Sequence, residues 1–189
     1  LGAGVELNRI FSDPRQFIPR LRFEDSDANL SRFCRPYGEQ VALIDALEDP
    51  EVRTVVVLKP RKIGITTASC AHTWWATFTA QKPLRTIVVA DHNKTTKSIF
   101  KKFCTYYHHM PRALKEANPF KLNQNDKTLV SRRTDALIDH MTARGDTHGR
   151  GWTYQRFIAE ELAFWPHPEE VWSGIRSTLH GGAESKIVI

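Results

Sequence analysis

Cysteine is scarce in this sequence, and it has no long apolar run. The 189 residues include three cysteines, Cys34, Cys70 and Cys104. An odd number of cysteines without a CxxC pair or a Cys/His pattern provides neither a disulfide framework nor a zinc site. No apolar run approaches the ~18 residues that cross a bilayer, and the first residues lack the pattern of a signal peptide. These absences exclude a disulfide-stapled secreted domain and an integral membrane protein, and we expect a soluble protein in a reducing, intracellular setting.

The composition is that of one globular domain with a basic surface. Hydrophobic residues make up 41% of the chain and charged residues 25%, and the length suffices for one well-buried core. The 27 lysines and arginines exceed the 21 aspartates and glutamates, which gives a formal charge of +6, and the pI is about 9.4. This charge is compatible with a polyanionic partner such as nucleic acid.

The first half of the chain has a strand–helix–strand pattern. Residues 1–35 are predicted to form an irregular arm with one short helix. A helix is predicted at 37–47 because Val41, Ile44 and Leu47 share one face. The β-branched run "TVVVL" is typical of a central strand buried on both faces. Helical spacing in "TTASCAHTWWATFTA" and a strand at "RTIVVA" then complete a βαβ unit, which indicates a parallel sheet.

The second half predicts further strands and two helices. A helix is expected from about residue 93 to residue 109, with Ile99, Phe103 and Tyr106 on one face. Strands are expected at "KTLVS", "TDALIDHMTA", "YQRFIA" and "SKIVI", the first two as a hairpin, and a helix at "PEEVWSGIRSTLH". Four lysines of the first helix are interpreted as its solvated face, with phosphate contact as the alternative: Lys94, Lys97, Lys101 and Lys102.

The loop "LKPRKIGITT" has the outline of a phosphate-binding loop with one substitution. Such a loop needs a tight turn after a strand, a helix N-terminus aimed at the phosphates and a hydroxyl for magnesium. Gly64 provides the turn and Thr66 the hydroxyl, but Ile65 stands where GxxxxGK[ST] has its lysine. The loop is either an ordinary strand-to-helix turn or a nucleotide site whose cation comes from another loop position. The cations within the loop are Lys59, Arg61 and Lys62.

A pair of acids follows a later apolar strand. Glu160 and Glu161 come directly after "RFIA". Nucleotide hydrolysis requires one carboxylate in the magnesium shell and another that orients or deprotonates the attacking water, and neighbouring positions at a strand tip can serve both purposes. Acid pairs are also common at helix starts. Together with the loop, however, this pair indicates a nucleotide-hydrolysing site.

The loop "KPRKIGITT", the segment "RGWTYQRFIAEELAFWP" and the terminal "SKIVI" resemble the ATPase domain of the large terminase subunit, the DNA-packaging motor of tailed phages and related viruses. The resemblance covers about residues 36–189. It implies a three-layer α/β P-loop NTPase fold of the additional-strand type with a mainly parallel central sheet, preceded by an arm or lid at residues 1–35. In the family a nuclease domain follows, and because this sequence stops at Ile189 we expect no DNA cleavage from it.

The resemblance also implies an activity and partners. The expected activity is hydrolysis of ATP with Mg²⁺, coupled to the translocation of double-stranded DNA into a procapsid in the host cytoplasm. The expected partners are other copies of the chain in a ring on a portal protein, the small terminase subunit and DNA, with no membrane. Two alternatives remain: a helicase-like or DNA-repair translocase with the same core, and a nucleotide-dead DNA-binding module whose loop has decayed.

The family also implies roles for residues outside the two motifs. A glutamine before the first core strand contacts adenine in such motors, and Gln40 fits that position. An arginine shortly before the acid pair reaches into the neighbouring subunit's site. Arg150 is its best match here, and Arg144 is the second.

Within the motifs, the resemblance implies that Glu161 activates water and that Thr66 and Glu160 hold magnesium. Glu160 stands where the family usually has aspartate, and Ile65 leaves open which loop lysine, Lys59 or Lys62, replaces the missing one. Arg61 is expected to sense the γ-phosphate. The loop positions expected to contact the nucleotide are Lys59, Arg61, Lys62, Gly64, Ile65, Thr66 and Thr67.

Overall fold

The computed structural model describes residues 8–25, 27, 29–33, 36–58, 60, 62–123, 128–144, 153–179 and 185–189. The helices with bounds in this part of the chain are α1 (Pro14–Phe17), α2 (Gly38–Glu48), α3 (Ile65–Thr79), α4 (Asn93–His108), α5 (Arg112–Ala117) and α6 (Pro168–Arg176). Residues 8–12 are also helical, and short 3₁₀ helices lie at Ile18–Arg20 and Leu162–Phe164. The strands are β1 (Arg22–Glu24), β2 (Leu30–Arg32), β3 (Thr54–Val55), β4 (Arg85–Ala90), β5 (Phe120–Asn123), β6 (Thr128–Ser131), β7 (Leu137–Thr142), β8 (Arg156–Glu160) and β9 (Lys186–Val188).

Seven of these strands form one mainly parallel sheet. Their order is β3-β9-β8-β4-β7-β6-β5, and β1 and β2 form a separate antiparallel ribbon. Each neighbouring pair from β3 to β7 in this order is parallel, whereas β6 runs antiparallel to both β7 and β5. The predicted parallel sheet and the hairpin of "KTLVS" with "TDALIDHMTA" are therefore confirmed.

The central strand β4 shows why helices cover both faces of this sheet. Ile87, Val88 and Val89 are completely buried. Because successive side chains of a strand point to opposite faces, Val88 packs in the cluster that contains residues of α3 and α4, while Ile87 and Val89 pack in the cluster that contains residues of α6. A continuous apolar strand of this type belongs in a sheet covered on both sides. The three-layer α/β architecture is thus confirmed.

The strand predicted at "TVVVL" differs from its expected position. It is two residues long, Thr54–Val55, and it is the outermost strand at its side of the described sheet, where it pairs with β9 alone. Val56 is 65% exposed and Leu58 is 98% exposed, while Val55 and Val57 pack against the cluster that contains Ile65. The prediction of a central strand buried on both faces was wrong, because β-branched residues favour extended backbone wherever the strand lies in the sheet.

Helix α2 is confirmed, but one residue of its predicted apolar face is not buried. Ile44 and Leu47 are buried together with Gln40 and Leu43, whereas Val41 is exposed. The buried face thus follows positions 40, 43, 44 and 47, which places a glutamine inside. This inward-facing glutamine matters for the candidate site.

The N-terminal segment packs onto the rest of the domain. Phe17, Ile18, Leu21 and Phe33 belong to the same apolar cluster as α3 and α4. The segment contains α1 and the β1–β2 ribbon in addition to the short helix that was expected. Helix α5 and strand β5 were not predicted either. None of the helices in the described part of the chain has the length and apolar composition needed to span a membrane.

Candidate nucleotide site

A cavity of about 460 Å³ lies where the loop before α3, the end of β8 and the face of α4 meet. Glu160 ends β8 and is paired with Ala90, the last residue of the central strand β4. The cavity is therefore at the carboxyl edge of the parallel strands, where open α/β sheets bind ligands. It brings together the predicted site residues Lys62, Gly64, Ile65, Thr66, Thr67, Glu160 and Glu161.

Gly64 makes the turn from the loop into α3. Its φ of 74° lies in the left-handed region, and it is the N-cap of α3, with its carbonyl accepting a hydrogen bond from Ala68 N at 2.9 Å. A Cβ on this residue would lie 2.5 Å from Gln40 Nε2. Glycine is thus required here both by the backbone angle and by the closeness of a neighbouring side chain.

Gln40 fixes the backbone of the loop through its buried side chain. Its side chain is only 5% exposed. Tyr37 N donates to Gln40 Oε1 at 3.1 Å, and Gln40 Nε2 donates to the Ile63 carbonyl at 3.0 Å. Both ends of the carboxamide are therefore engaged within the protein, one at the start of α2 and one in the loop. The predicted contact between Gln40 and adenine remains a prediction.

Ile65, at the position of the usual lysine, packs inward. It is 4% exposed and belongs to an apolar cluster with Leu43, Leu47, Ala68 and Val188. The first residue of α3 thus contributes to the core beneath the loop, which accounts physically for an aliphatic residue at this position. Ile65 therefore does not supply a cation to the cavity.

The two motifs make direct contact through Thr66 and Glu160. Thr66 Oγ1 donates a hydrogen bond to Glu160 Oε1 at 2.5 Å. A hydroxyl and a carboxylate oxygen thus converge at the N-terminus of α3, 94 positions apart in sequence. These are hard oxygen donors of the kind that Mg²⁺ takes from a protein when substrate phosphates supply further ligands. The pair fits the predicted magnesium-binding role.

The described residues contain no larger cluster of metal ligands than this pair. Among those residues, no group of three or more histidines, cysteines, aspartates or glutamates could hold a metal ion. Mg²⁺ that is bound through one or two protein oxygens keeps its other coordination positions for water and substrate phosphates.

Glu161 is turned into the cavity by a left-handed backbone. Its φ is 56°, it lines the cavity, and its carbonyl accepts a hydrogen bond from Phe164 N at 2.9 Å as the short 3₁₀ helix begins. The Trp165 indole N–H donates to the Glu160 carbonyl at 3.0 Å. A left-handed non-glycine residue costs about 1–2 kcal/mol, so tertiary contacts hold this turn in place.

Helix α4 forms the opposite wall of the cavity, whereas its lysines were interpreted from the sequence as a solvated face, with phosphate contact as the alternative. Lys94, Ser98 and Lys102 line it, and their four-residue spacing places them on one helical face. Lys97 and Lys101 are exposed, and Lys101 Nζ lies 2.6 Å from Glu24 Oε2. The solvated-face interpretation thus describes Lys97 and Lys101. Lys94 is exposed as well, but like the half-buried Lys102 it lines the candidate site. The four-residue interval between positions 94, 98 and 102 could have indicated from the sequence that these residues share a face.

The arginines and lysines assigned by resemblance are only partly placed. Lys59, Arg61 and Arg150 lie outside the described residues, so their roles remain predictions. Lys62 lines the cavity with a left-handed φ of 70°. Arg144, the second candidate for an arginine that reaches a neighbour, pairs within the chain with Asp91, at 3.0 Å from Nε to Oδ1.

A strand-to-helix loop closed by glycine, a hydroxyl at the helix start and a strand-end acid beside it define a P-loop NTPase fold. The family model of the phage terminase large subunit gpA ATPase domain matches residues 28–167. The chain belongs to this family.

Solved structures of large terminases have the same fold. The large terminase of bacteriophage HK97 has a TM-score of 0.73 and 15% identity over 95% of this chain and 36% of its own. The ATPase domain of the large terminase of Thermus phage P74-26 has a TM-score of 0.63 and 18% identity over 82% of this chain and 64% of its own. A large terminase of a thermophilic bacteriophage in complex with ATP-γ-S has a TM-score of 0.51 and 13% identity over 82% of this chain and 37% of its own.

This chain corresponds to only part of the longer terminases. The chain spans about a third of the length of the HK97 terminase. No curated protein sequence matches it significantly. At such low identities the solved structures establish the fold, and the family follows from the match over residues 28–167.

Proposed function

We propose that this chain is the ATP-hydrolysing motor domain of a phage terminase large subunit, which moves double-stranded DNA into a procapsid. The observation that carries the proposal is the hydrogen bond between Thr66 of the loop and Glu160 of the strand end, with Glu161 beside it in the same cavity. These residues lie at the N-terminus of α3, a helix of 15 residues whose free N–H groups and dipole favour a phosphate.

Each residue would have a separate task. Backbone N–H groups at the start of α3 would bind the phosphates, and Thr66 and Glu160 would hold Mg²⁺. When bound, Mg²⁺ neutralises charge on the β- and γ-phosphates. Glu161 would orient the attacking water and accept its proton. Arg61 would sense the γ-phosphate, and Arg150 would stabilise the transferred phosphoryl group in a neighbouring subunit's site.

The acid pair provides the test. Glu161→Gln preserves shape but removes the base, so turnover should fall about 10²–10⁴-fold while ATP-γ-S binding survives. Glu160→Ala should instead weaken the magnesium dependence of nucleotide binding. Glu170→Gln, an exposed acid on α6, is the matched control and should leave both properties unchanged. If Glu161→Gln hydrolyses ATP at the wild-type rate, the assigned role is wrong, and if the wild-type protein neither binds nor hydrolyses ATP, the chain is a nucleotide-dead module.

The DNA-moving activity requires a separate assay. A packaging motor moves intact duplex, so ATP should drive the removal of a triplex-forming strand from double-stranded DNA without separating the duplex. ATP-dependent separation of the duplex strands would favour the helicase-like alternative. The assay requires the ring with its portal and small subunit, which we propose as partners on the basis of the family.

A further inference from the structure

We propose that Lys102 of α4, with Lys94 at the outer end of the same wall, provides a phosphate-binding cation from outside the loop, in addition to a lysine of the loop itself. This inference rests on the proposed ATPase function and assigns the triphosphate end of the nucleotide to a surface formed by two helices. Such a cation would face the phosphates from across the cavity rather than from within the loop.

The position of Lys102 follows from a contact between α4 and α3. Tyr106 is fully buried, and its hydroxyl donates to the Thr67 carbonyl at 3.0 Å. Lys102 lies one helical turn before Tyr106 on the same face. It is therefore beside the first turn of α3, where the N–H groups that would bind phosphate are located. Lys94 is two turns further along, about 12 Å from Lys102 along the helix axis.

The lysines of α4 differ in whether they line the cavity: Lys94 and Lys102 do, although Lys94 is exposed like Lys97 and Lys101. Lys102 is half-buried and lines the cavity, and a lysine in such a position can pack its aliphatic stem while its charged end stays accessible. Lys97 is exposed and Lys101 pairs with Glu24 on the outer side. Helix α4 therefore has lysines on the face that lines the cavity and lysines outside it. Only the lysines that line the cavity lie beside the loop and the acid pair.

The charge of the cavity supports a polyanionic occupant. Its lining among the described residues includes the acids Glu160 and Glu161 and the lysines Lys62, Lys94 and Lys102. With Mg²⁺ engaged by Glu160, the remaining charge is predominantly positive and faces the N-terminus of α3. A triphosphate bound there would have the helix N-terminus on one side and Lys102 on the other, so that charge-assisted hydrogen bonds come from two directions.

The experiment compares Lys102→Gln with Lys97→Gln, which removes the same charge from the same helix at an exposed site. Equilibrium binding of fluorescent ATP-γ-S and of fluorescent AMP is measured for each, with thermal unfolding as the check on folding. Lys102→Gln should weaken ATP-γ-S binding about 10- to 100-fold and AMP binding much less, because AMP lacks the β- and γ-phosphates. Lys97→Gln should bind both as wild type does, and Lys102→Arg should recover most of the affinity for ATP-γ-S.

The outcomes separate this inference from the proposed function. If the wild-type protein binds ATP-γ-S and Lys102→Gln binds it equally well, the inference fails while the ATPase proposal stands. If Lys102→Gln retains nucleotide affinity but loses affinity for duplex DNA, α4 contacts DNA and the inference is wrong. Equal losses of ATP-γ-S and AMP affinity would also refute it, because they would show a general disturbance of the pocket rather than loss of a β- or γ-phosphate contact.

Discussion

Replacing Gly64 with alanine tests how firmly Gln40 holds the loop. The φ of 74° at Gly64 costs an alanine about 1–2 kcal/mol. The new Cβ would lie 2.5 Å from Gln40 Nε2, and Gln40 can move away only by disturbing its hydrogen bonds to Ile63 and Tyr37, each worth about 0.5–1.5 kcal/mol. We therefore expect Gly64→Ala to lower the free energy of unfolding by about 2–5 kcal/mol.

A double-mutant cycle separates the two causes. Gln40→Ala removes the neighbouring side chain and its hydrogen bonds, so in that background Gly64→Ala should cost only the conformational part, about 1–2 kcal/mol. The interaction energy between the two sites should then be about 1–3 kcal/mol. Urea denaturation followed by tryptophan fluorescence provides the free energies. Gly38→Ala is the control, because a Cβ there meets no atom within 4 Å. Additive effects of Gly64→Ala and Gln40→Ala would refute the close contact.

The same variants distinguish the two roles available to Gln40. If Gln40 acts only by holding the loop, Gln40→Ala should weaken binding of ATP-γ-S and GTP-γ-S by the same factor, because the phosphates are common to both. If Gln40 contacts adenine, the preference for ATP-γ-S over GTP-γ-S should fall in the variant. The ratio of the two dissociation constants, rather than either value alone, decides between them.

Three further predictions concern other parts of the chain. Burial lowers the pKa of His72 to about 4, whereas the usual pKa of about 6.5 applies in the unfolded state. Between pH 7 and pH 5 the unfolded state therefore binds a proton that the folded state does not, and the free energy of unfolding should fall by about 2 kcal/mol. Denaturation of His72→Gln over the same range should show a smaller fall. Arg144→Ala should lower the free energy of unfolding by about 1 kcal/mol, because Asp91 loses a charged partner. Its ATP turnover per molecule should still rise with protein concentration as that of wild type does, because Arg144 pairs within its own chain. Mixing Arg150→Ala with Glu161→Gln should restore ATP turnover above that of either variant alone if Arg150 acts on the neighbouring subunit, and a mixture no more active than its components would assign Arg150 another role.

The sequence was sufficient for the elements whose signal is local. The β-branched run around Val88 predicted a strand, and the apolar spacing of Ile99, Phe103 and Tyr106 predicted α4, because each signal lies in residues that are close together in the sequence. The glycine turn and the strand-end acids were likewise recognised from short patterns, and the structure brings them into one cavity.

The features that local patterns missed depend on long-range contacts. Val56 and Leu58 have the same β-branched and apolar character as a core strand, but the order of strands leaves them exposed. Lys94 and Lys102 have the same chemistry as Lys97, and only the packing of α4 against α3 turns the first two toward the cavity. Spacing along one helix identifies a shared face, but it does not identify what that face meets.

Backbone strain at the cavity is a further property that local preference could not predict. Lys62 and Glu161, with φ of 70° and 56°, are two of the non-glycine residues in the described chain with a left-handed backbone, and both line the cavity. Lysine and glutamate disfavour this conformation by about 1–2 kcal/mol. Residues in a backbone conformation that they disfavour are concentrated at functional sites in proteins.

Contacts from outside the two motifs hold these strained turns. Gln40 of α2 binds the carbonyl of Ile63 next to the loop glycine, and the Trp165 indole binds the carbonyl of Glu160 next to the turn at Glu161. Each contact fixes a backbone group, so the positions of the loop and of the acid pair depend on residues outside both motifs. The geometry of this site is therefore set by the packing of α2 and of the segment after β8 as much as by the loop and the acids themselves.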